Sequence, residues 1–392
     1  MKNRFDETKV RNFYYLLAYA FDDEKINFQN DEKFGSEKMK NIYDLFAIVL
    51  FIRLKELLQE GMYNEYVEYN EDLPYIKGRL DILKTFRTQT LQIKNRVFCD
   101  YEEYSVNNMI NQIIKTTIRC LLKNDLLQEN KIRLRQLYHT FENIDYIKDP
   151  NQILWDNLKF NKLNKKYEVI IKICKYVLKE LIHNKEDENE TFSHIDDDQK
   201  YHALFEKFIR NYLIRYFFNY RDEPINSLNI VTKKMKWMID EKSKDKTDDR
   251  YIPKMHTDIT ISNTFKPGKV KIIDAKFYSN ILSDKGFNGQ EAVNINSGNW
   301  YQLFSYIMNE KWHLEEKLRD KQIETEVSGI LLYASTGEDF QDFEVSVHGN
   351  RMGVNVIDFT QEFGNPETAK IDDRTIAGQM KKLAESIYEE IK

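Results

Sequence analysis

Two apolar, β-branched runs dominate the second half of this chain: Met255-His256-Thr257-Asp258-Ile259-Thr260-Ile261 and Val270-Lys271-Ile272-Ile273-Asp274-Ala275-Lys276-Phe277-Tyr278. Between them lies Lys266-Pro267-Gly268-Lys269. β-Branched residues suit a pleated surface and Pro-Gly turns a chain sharply, so the runs are expected to be neighbouring strands joined by a tight turn. Each carries an acid where a water-exposed strand end would lie. Side chains two apart on a strand point to the same side, which brings Asp274 and Lys276 to one site, and pairing with the first strand adds Asp258. Two carboxylates and an ammonium then converge. That donor set suits a magnesium-dependent phosphodiesterase, with hard oxygens for a cation that keeps several waters and positions or activates the attacking one.

The remaining pattern divides the chain in two. Leu45 to Leu58, stopped by Gly61, reads as a buried helix. Val106, Met109, Ile110, Ile113, Ile114, Ile118 and Leu121 recur at helical spacing, as do Val169, Ile170, Ile173, Cys174, Val177 and Leu181. From His183 to Lys200 the aliphatic residues nearly vanish into Asn184-Lys185-Glu186-Asp187-Glu188 and Asp196-Asp197-Asp198, a stretch that cannot bury itself. The boundary is therefore placed near residue 190. Residues 1–190 are expected to form a mainly helical domain and residues 191–392 a mixed-sheet α/β or α+β domain flanked by helices. In that second domain the sequence predicts a helix from about Gln199 to Phe218 and a strand near Ile230 to Trp237. A polar loop from Asp240 to Arg250 and the two acid-bearing strands follow, then a helix around Trp300 to Trp312. A buried strand at Gly329 to Tyr333, a hairpin across Gly349-Asn350 and a last helix from about Thr375 to Lys392 close the chain.

Bulk properties exclude several classes. With 59 basic and 64 acidic residues the formal charge is -5, so no global positive field draws in DNA, and any nucleic-acid contact is local or supplied by a partner. Three scattered cysteines, Cys99, Cys120 and Cys174, make neither a disulfide framework nor a zinc site and point to free thiols. The amino-terminal residues lack the apolar core of a signal peptide, and the longest apolar run, Leu45 to Ile52, falls far short of the ~20 residues a membrane span requires. A cytoplasmic protein without a membrane partner is expected. There is no G-x-x-x-x-G-K-[ST] phosphate loop, so nucleotide hydrolysis is not this chain's own.

Glu206 on a preceding helix, Asp258, the Asp274-Ala275-Lys276 triplet, and Gln302 with Tyr306 on a following helix occur in an order that resembles the PD-(D/E)XK nuclease superfamily. Thr257 stands where the superfamily's name has proline; the carboxylate after it is the functional element. The resemblance implies that Asp258 and Asp274 ligate Mg2+, or Mn2+ in its place, and that Glu206 completes the shell. Lys276 would orient or help deprotonate the nucleophilic water and stabilise phosphate charge, while Gln302 and Tyr306, one turn apart, would touch the site or the DNA backbone.

Longer ordered blocks narrow this. Arg11-Asn12-Phe13-Tyr14-Tyr15-Leu16-Leu17-Ala18-Tyr19-Ala20, Ile76-Lys77-Gly78-Arg79-Leu80-Asp81-Ile82, Pro253 to Ile261, Ile273 to Tyr278 and Tyr301-Gln302-Leu303 follow one another as in the McrC family, from about residue 10 to about 310. McrC proteins are nuclease subunits of McrBC modification-dependent restriction systems. The resemblance implies a partner, a hexameric AAA+ GTPase of the McrB type that binds the GTP and reads 5-methylcytosine in double-stranded DNA. The subunit stimulates GTP hydrolysis and cuts when translocation stalls. The amino-terminal half would dock on the ring, with Lys77, Gly78 and Arg79 as interface candidates; Gly78 serves a turn equally well, and Arg79 an ion pair with Asp81 or another carboxylate. Lys233, Lys234 and Lys236 either contact phosphate or form a solvated strand face. A ring regulator with a vestigial nuclease site, or a nuclease of the same fold acting alone, are the competing readings.

Overall fold

The computed structural model describes residues 10–21, 39–182, 197–220, 227–239, 251–277, 282–283, 294–335, 340–366 and 371–392. They form two compact units, one of Met1–Ile42 with Phe192–Lys392, the other of Tyr43–Thr191. Helix α1 (Val10–Ala20) therefore belongs with the second half of the chain, which corrects the expectation that residues 1–190 form one domain. The cause is its aromatic surface: Phe13 packs on Tyr201 and Phe277, Tyr15 on Phe363 and Tyr19 on Tyr212. The buried Asn12 amide also donates to the carbonyls of Phe359 and Gln361, at 2.7 Å each.

The unit of residues 43–191 contains α2 (Ile42–Gln59), β1 (Glu65–Leu73), β2 (Arg79–Leu80), α3 (Ile82–Arg87), α4 (Thr90–Lys94), β3 (Val97–Ser105), α5 (Met109–Leu122), α6 (Gln128–Thr140) and α7 (Glu168–Tyr176). Helices α2, α5 and α7 supply its core through residues such as Leu45, Phe46, Ile48, Ile113, Ile114, Ile118, Ile170 and Ile173. The antiparallel sheet β1-β3-β2 was not foreseen in a domain read as mainly helical. Its strands are acidic and largely solvated on both faces, so no apolar run announces them. The charged stretch at 183–196 lies outside the described residues, as does the predicted loop 240–250.

The other unit continues with α8 (Asp197–Arg215), β4 (Leu228–Val231), β5 (Lys234–Met235), β6 (Met255–His256), β7 (Ile259–Asn263), β8 (Lys269–Lys276), β9 (Leu282–Ser283) and β10 (Asn294–Ile295). It ends with α9 (Ser297–Leu318), β11 (Glu326–Ser335), β12 (Phe343–Val347), β13 (Asn350–Asp358) and α10 (Ile376–Ile391). Six strands form one mixed sheet in the order β12-β13-β11-β8-β7-β4. Strands β8, β11 and β13 run parallel and the other pairings are antiparallel, which makes the unit α+β with helices on both faces.

Alternation along β8 decides what each face meets. Val270 and Ile272 join Leu303 and Ile307 of α9 in one core. Lys271 instead reaches Glu390 of α10, and Phe277 stacks on Tyr201 of α8, so these helices cover the opposite face. Helix α9 lies close because β11 has Gly329 beneath it, where a Cβ would sit 2.7 Å from Leu303 Cδ1 and 2.8 Å from Ile307 Cδ1. The hairpin β12–β13 turns at His348-Gly349, with φ of 50° and 75°, one residue earlier than predicted. Among the described residues no helix is long and apolar enough to cross a membrane.

Candidate active site

Strand β8 lies inside the sheet, and its carboxyl end carries Asp274 and Lys276 on the α9 face. Ile259 pairs with Ile273, so the next position outward sets Asp258 against Asp274 across the antiparallel pair. Asp258 Oδ2 accepts the Ala275 backbone N–H at 2.9 Å, which fixes the carboxylate over β8. Lys276 Nζ stands 2.7 Å from Asp274 Oδ2. Asp258, Asp274 and Lys276 are thus brought together as the sequence predicts. One detail differs: Asp274 is 0% and Lys276 4% exposed, not at a water-exposed strand end, because β8 is an interior strand covered on both faces.

Burial sets the electrostatics. Asp258 is pushed up to about 7, first by burial and next by the charge of Asp274, against the pull of Lys276. Burial also raises Asp274, opposed by Lys276. Lys276, 2.7 Å away, counters the rise by its charge and a side-chain hydrogen bond, and a further side-chain hydrogen bond links Asp274 to Asp258. Two carboxylates buried side by side are costly unless one is protonated or both bind a cation. Hard oxygens with open lone pairs fit magnesium, which takes one or two carboxylates and fills its octahedron with water and phosphate oxygens.

Helix α8 crosses the other side of the site's rim. Glu206 is raised by burial, and its charge acts on both Asp258 and Asp274. It does not join them in a closed shell: among the described residues no three His, Cys, Asp or Glu side chains gather closely enough to hold an ion. Gln302 is exposed on α9 and donates through Nε2 to the Tyr306 hydroxyl at 2.7 Å. Tyr306 is buried, which raises its hydroxyl pKa, and it lies in the field of both acids. Gln302 therefore reaches the site through Tyr306. His202, one turn before Glu206 on the same side of its helix and given no role by the sequence, accepts the Phe277 N–H through Nδ1 at 3.4 Å. Burial, then the Lys276 charge, lowers it to about 4, so it is a neutral neighbour of the lysine at pH 7. Its i, i+4 spacing to Glu206 was the available signal.

The remaining candidates lie in the unit of residues 43–191. Gly78 has φ +67°, and a Cβ there would run into Asp100 O and lie 2.7 Å from Tyr101 Cβ, so its first role is to let the chain pass β3. Lys77 pairs with Glu103 at 2.7 Å and lies over the Tyr101 ring. Arg79 pairs with Asp100 at 2.8 Å while its side chain is 84% exposed. Asp81, the other suggested partner of Arg79, instead caps α3 by accepting the Lys84 N–H. Beside them Ile82, Leu83, Phe86 and Ile93 are 55–71% exposed.

Residues 2–318 match the family described as McrBC 5-methylcytosine restriction system component. The Type IV methyl-directed restriction enzyme EcoKMcrBC of Escherichia coli (strain K12) is 26% identical over 357 residues, spanning 90% of this chain and 93% of that protein. Among solved structures, a half-complex from a tetradecameric assembly of Thermococcus gammatolerans McrB AAA+ hexamers with bound McrC aligns with a TM-score of 0.51 at 16% identity. That alignment covers 97% of this chain and 75% of the other, and at such identity it speaks to the fold alone.

Proposed function

The chain belongs to the family of McrBC 5-methylcytosine restriction system components, and from that membership we propose that it is the DNA-cleaving subunit of such a system, a magnesium-dependent PD-(D/E)XK endonuclease driven by an AAA+ GTPase ring. The observation that carries the reading is the placement of Asp258 opposite Asp274 with Lys276 2.7 Å away, all on one face of an interior strand pair. Core packing alone gives no reason to bury two acids and a lysine there.

Asp258 and Asp274 would hold the cation, with Glu206 acting from outside through its charge. The cation supplies Lewis acidity and a lowered pKa for water at the scissile phosphate. The chain's own contribution is positional. The Ala275 N–H holds Asp258 in place. The Lys276 ammonium, held 2.7 Å from Asp274, offers a donor to a phosphate oxygen or an attacking water and stabilises charge that develops there. Tyr306, held by Gln302, adds a hydroxyl on the α9 side. Neutral His202 beside Lys276 leaves the ammonium free of a competing positive charge.

The partner reading rests on the likeness to the Thermococcus gammatolerans assembly of McrB AAA+ hexamers with bound McrC. The unit of residues 43–191 supports it with exposed Ile82, Leu83, Phe86 and Ile93, since neighbouring large apolar side chains left in water mark interaction surfaces. Methylated DNA incubated with the chain, its AAA+ partner, GTP and Mg2+ is expected to be cut. Asp274→Ala and Lys276→Ala proteins are expected to stimulate GTP hydrolysis while leaving DNA intact. Cleavage that survives both substitutions removes the nuclease assignment, and GTPase stimulation without any cleavage by the unaltered chain makes it a ring regulator.

A further inference from the structure

An open cleft of about 600 Å³ lies between α9 and the β4–β7 edge of the sheet. We infer that this cleft binds the phosphate backbone of the DNA next to the cut; the inference rests on the nuclease reading above. Its floor continues the site. Thr260 and Ser262 alternate onto the face of β7 where the register sets Asp258, just before the strand, against Asp274, and both line the cleft. At ~3.3 Å per residue these positions lie about 7 and 13 Å from Asp258, or roughly two to four nucleotide steps of 3.4 Å. Thr232 ties the cleft to the site, donating its hydroxyl to the Asp258 carbonyl at 2.9 Å, and Lys233 follows it into the lining.

The chemistry of the lining selects the ligand. Lys233, Lys269 and Lys317 are set against one acid, Glu310, so the cleft is basic in a chain of net charge -5. Glu310 is spent on Lys233, whose Nζ lies 2.6 Å and 2.7 Å from its two oxygens. Lys269 and Lys317 are exposed, and among the described residues neither has a carboxylate within ion-pair distance. Hydroxyls and amides of Ser262, Thr264, Asn229 and Asn263 stand between the charges. There is no Phe, Tyr or Trp in the lining and no glycine-rich loop to cradle a nucleotide's phosphates, and its one ring, His313, is held by the Lys236 carbonyl at 2.9 Å. Amines, hydroxyls and amides beside the aliphatic Leu228, Val231, Val270 and Leu314 fit contacts to phosphate and sugar that carry no sequence information, which leaves base recognition to another surface.

The test uses the complex of the chain with its AAA+ partner, in the presence of a non-hydrolysable GTP analogue and with magnesium withheld. A fluorescent duplex is titrated at several salt concentrations against the wild type and the Lys269→Ala/Lys317→Ala protein. Loss of two phosphate contacts is expected to make the slope of log affinity against log salt shallower by about 2. Between about 50 and 200 mM salt the wild type then loses roughly tenfold more affinity than the variant. Cleavage with magnesium restored is expected to fall, with GTPase stimulation unchanged. An unaltered slope overturns the proposal. A parallel titration with GTP alone separates the two phosphate sources: a variant that loses nucleotide binding but keeps its DNA slope also overturns it. Should the wild type cut no DNA, the nuclease reading falls while the slope still decides the cleft.

Discussion

Replacing Asp258 by Asn is expected to make the metal-free protein more stable at pH 8. The folded chain moves this carboxyl from its ordinary value of 3.8 to about 7, through burial and the charge of Asp274. Such a rise corresponds to about 4 kcal/mol between the two protonation states. The sign follows from proton counting. Below about pH 4 the group is protonated folded and unfolded, and it contributes nothing. Between about 4 and 7 the folded chain keeps a proton that the unfolded chain has lost, so stability falls as pH rises, and above 7 the whole penalty applies. Asn keeps an oxygen for the Ala275 N–H and removes the charge. Since Asp274 shares the strain, about half to all of the 4 kcal/mol is recovered, or about 5–10 °C in melting temperature for a unit of this size. The assay is a thermal melt in EDTA from pH 4 to 8, wild type against Asp258→Asn, repeated with Mg2+. The variant's advantage is expected to vanish near pH 4 and grow through pH 7, and Mg2+ is expected to stabilise only the wild type, by about 2.7 kcal/mol at a hundredfold excess over its dissociation constant. A variant that melts lower than wild type at pH 8 in EDTA, or a difference that is flat with pH, refutes the reasoning.

Three further outcomes follow from the packing. Gly78→Ala forces a side chain onto a backbone at φ +67° and against Asp100 and Tyr101, so urea unfolding of residues 43–191 is expected to show a loss of about 1–3 kcal/mol. Lys271→Ala removes the buried ammonium that Glu390 meets at 2.8 and 2.9 Å and leaves Glu390 the Ser328 hydroxyl at 2.9 Å and Arg351 at 3.5 Å. That costs about 1–3 kcal/mol in a melt, and adding Glu390→Gln recovers part of it. Gln302→Ala removes an exposed side chain, so stability stays within about 0.5 kcal/mol while cleavage, timed on a gel, slows about tenfold, the scale of one lost hydrogen bond to Tyr306.

The parts of this fold that were legible from sequence are those where one physical demand ruled a whole segment. Strands β8 and β11 bury every apolar residue they contain and helices α2, α5 and α7 bury most of theirs, so apolar runs and aliphatic spacing announced them. Strands β1 and β3 carry Tyr and acids in alternation on a sheet wet on both sides, so hydropathy was silent there. Helix α1 looked like part of the amino-terminal half because adjacency in sequence is the only guide when the partner surface, here Tyr201, Phe277, Tyr212 and Phe363, is assembled from distant segments. The same limit governed the site. Strand alternation placed Asp274 with Lys276, and pairing added Asp258, but the approach of His202 to Phe277 and of Tyr306 to the acids depends on helix positions that no local pattern encodes.

The segment read as one strand from Met255 to Ile261 shows how the fold makes the site. It is two strands: β6 pairs with β5 in a separate ribbon, while β7 enters the main sheet. At the switch Thr257 is fully buried; its N–H donates to the Lys233 carbonyl at 3.0 Å, while its hydroxyl accepts the Lys233 N–H at 3.1 Å and lies 2.7 Å from that of Thr260, so a side chain takes over one bond where the ladder stops. The next residue, Asp258, falls outside both ladders. It is free of sheet pairing on its own strand, yet it is aligned by register with Asp274 and held by the Ala275 N–H. A continuous strand would have spent this position on regular pairing. The break turns the end of a strand pair into a site where the Asp258 carboxylate, anchored by the Ala275 N–H, meets Asp274 and its Lys276 partner.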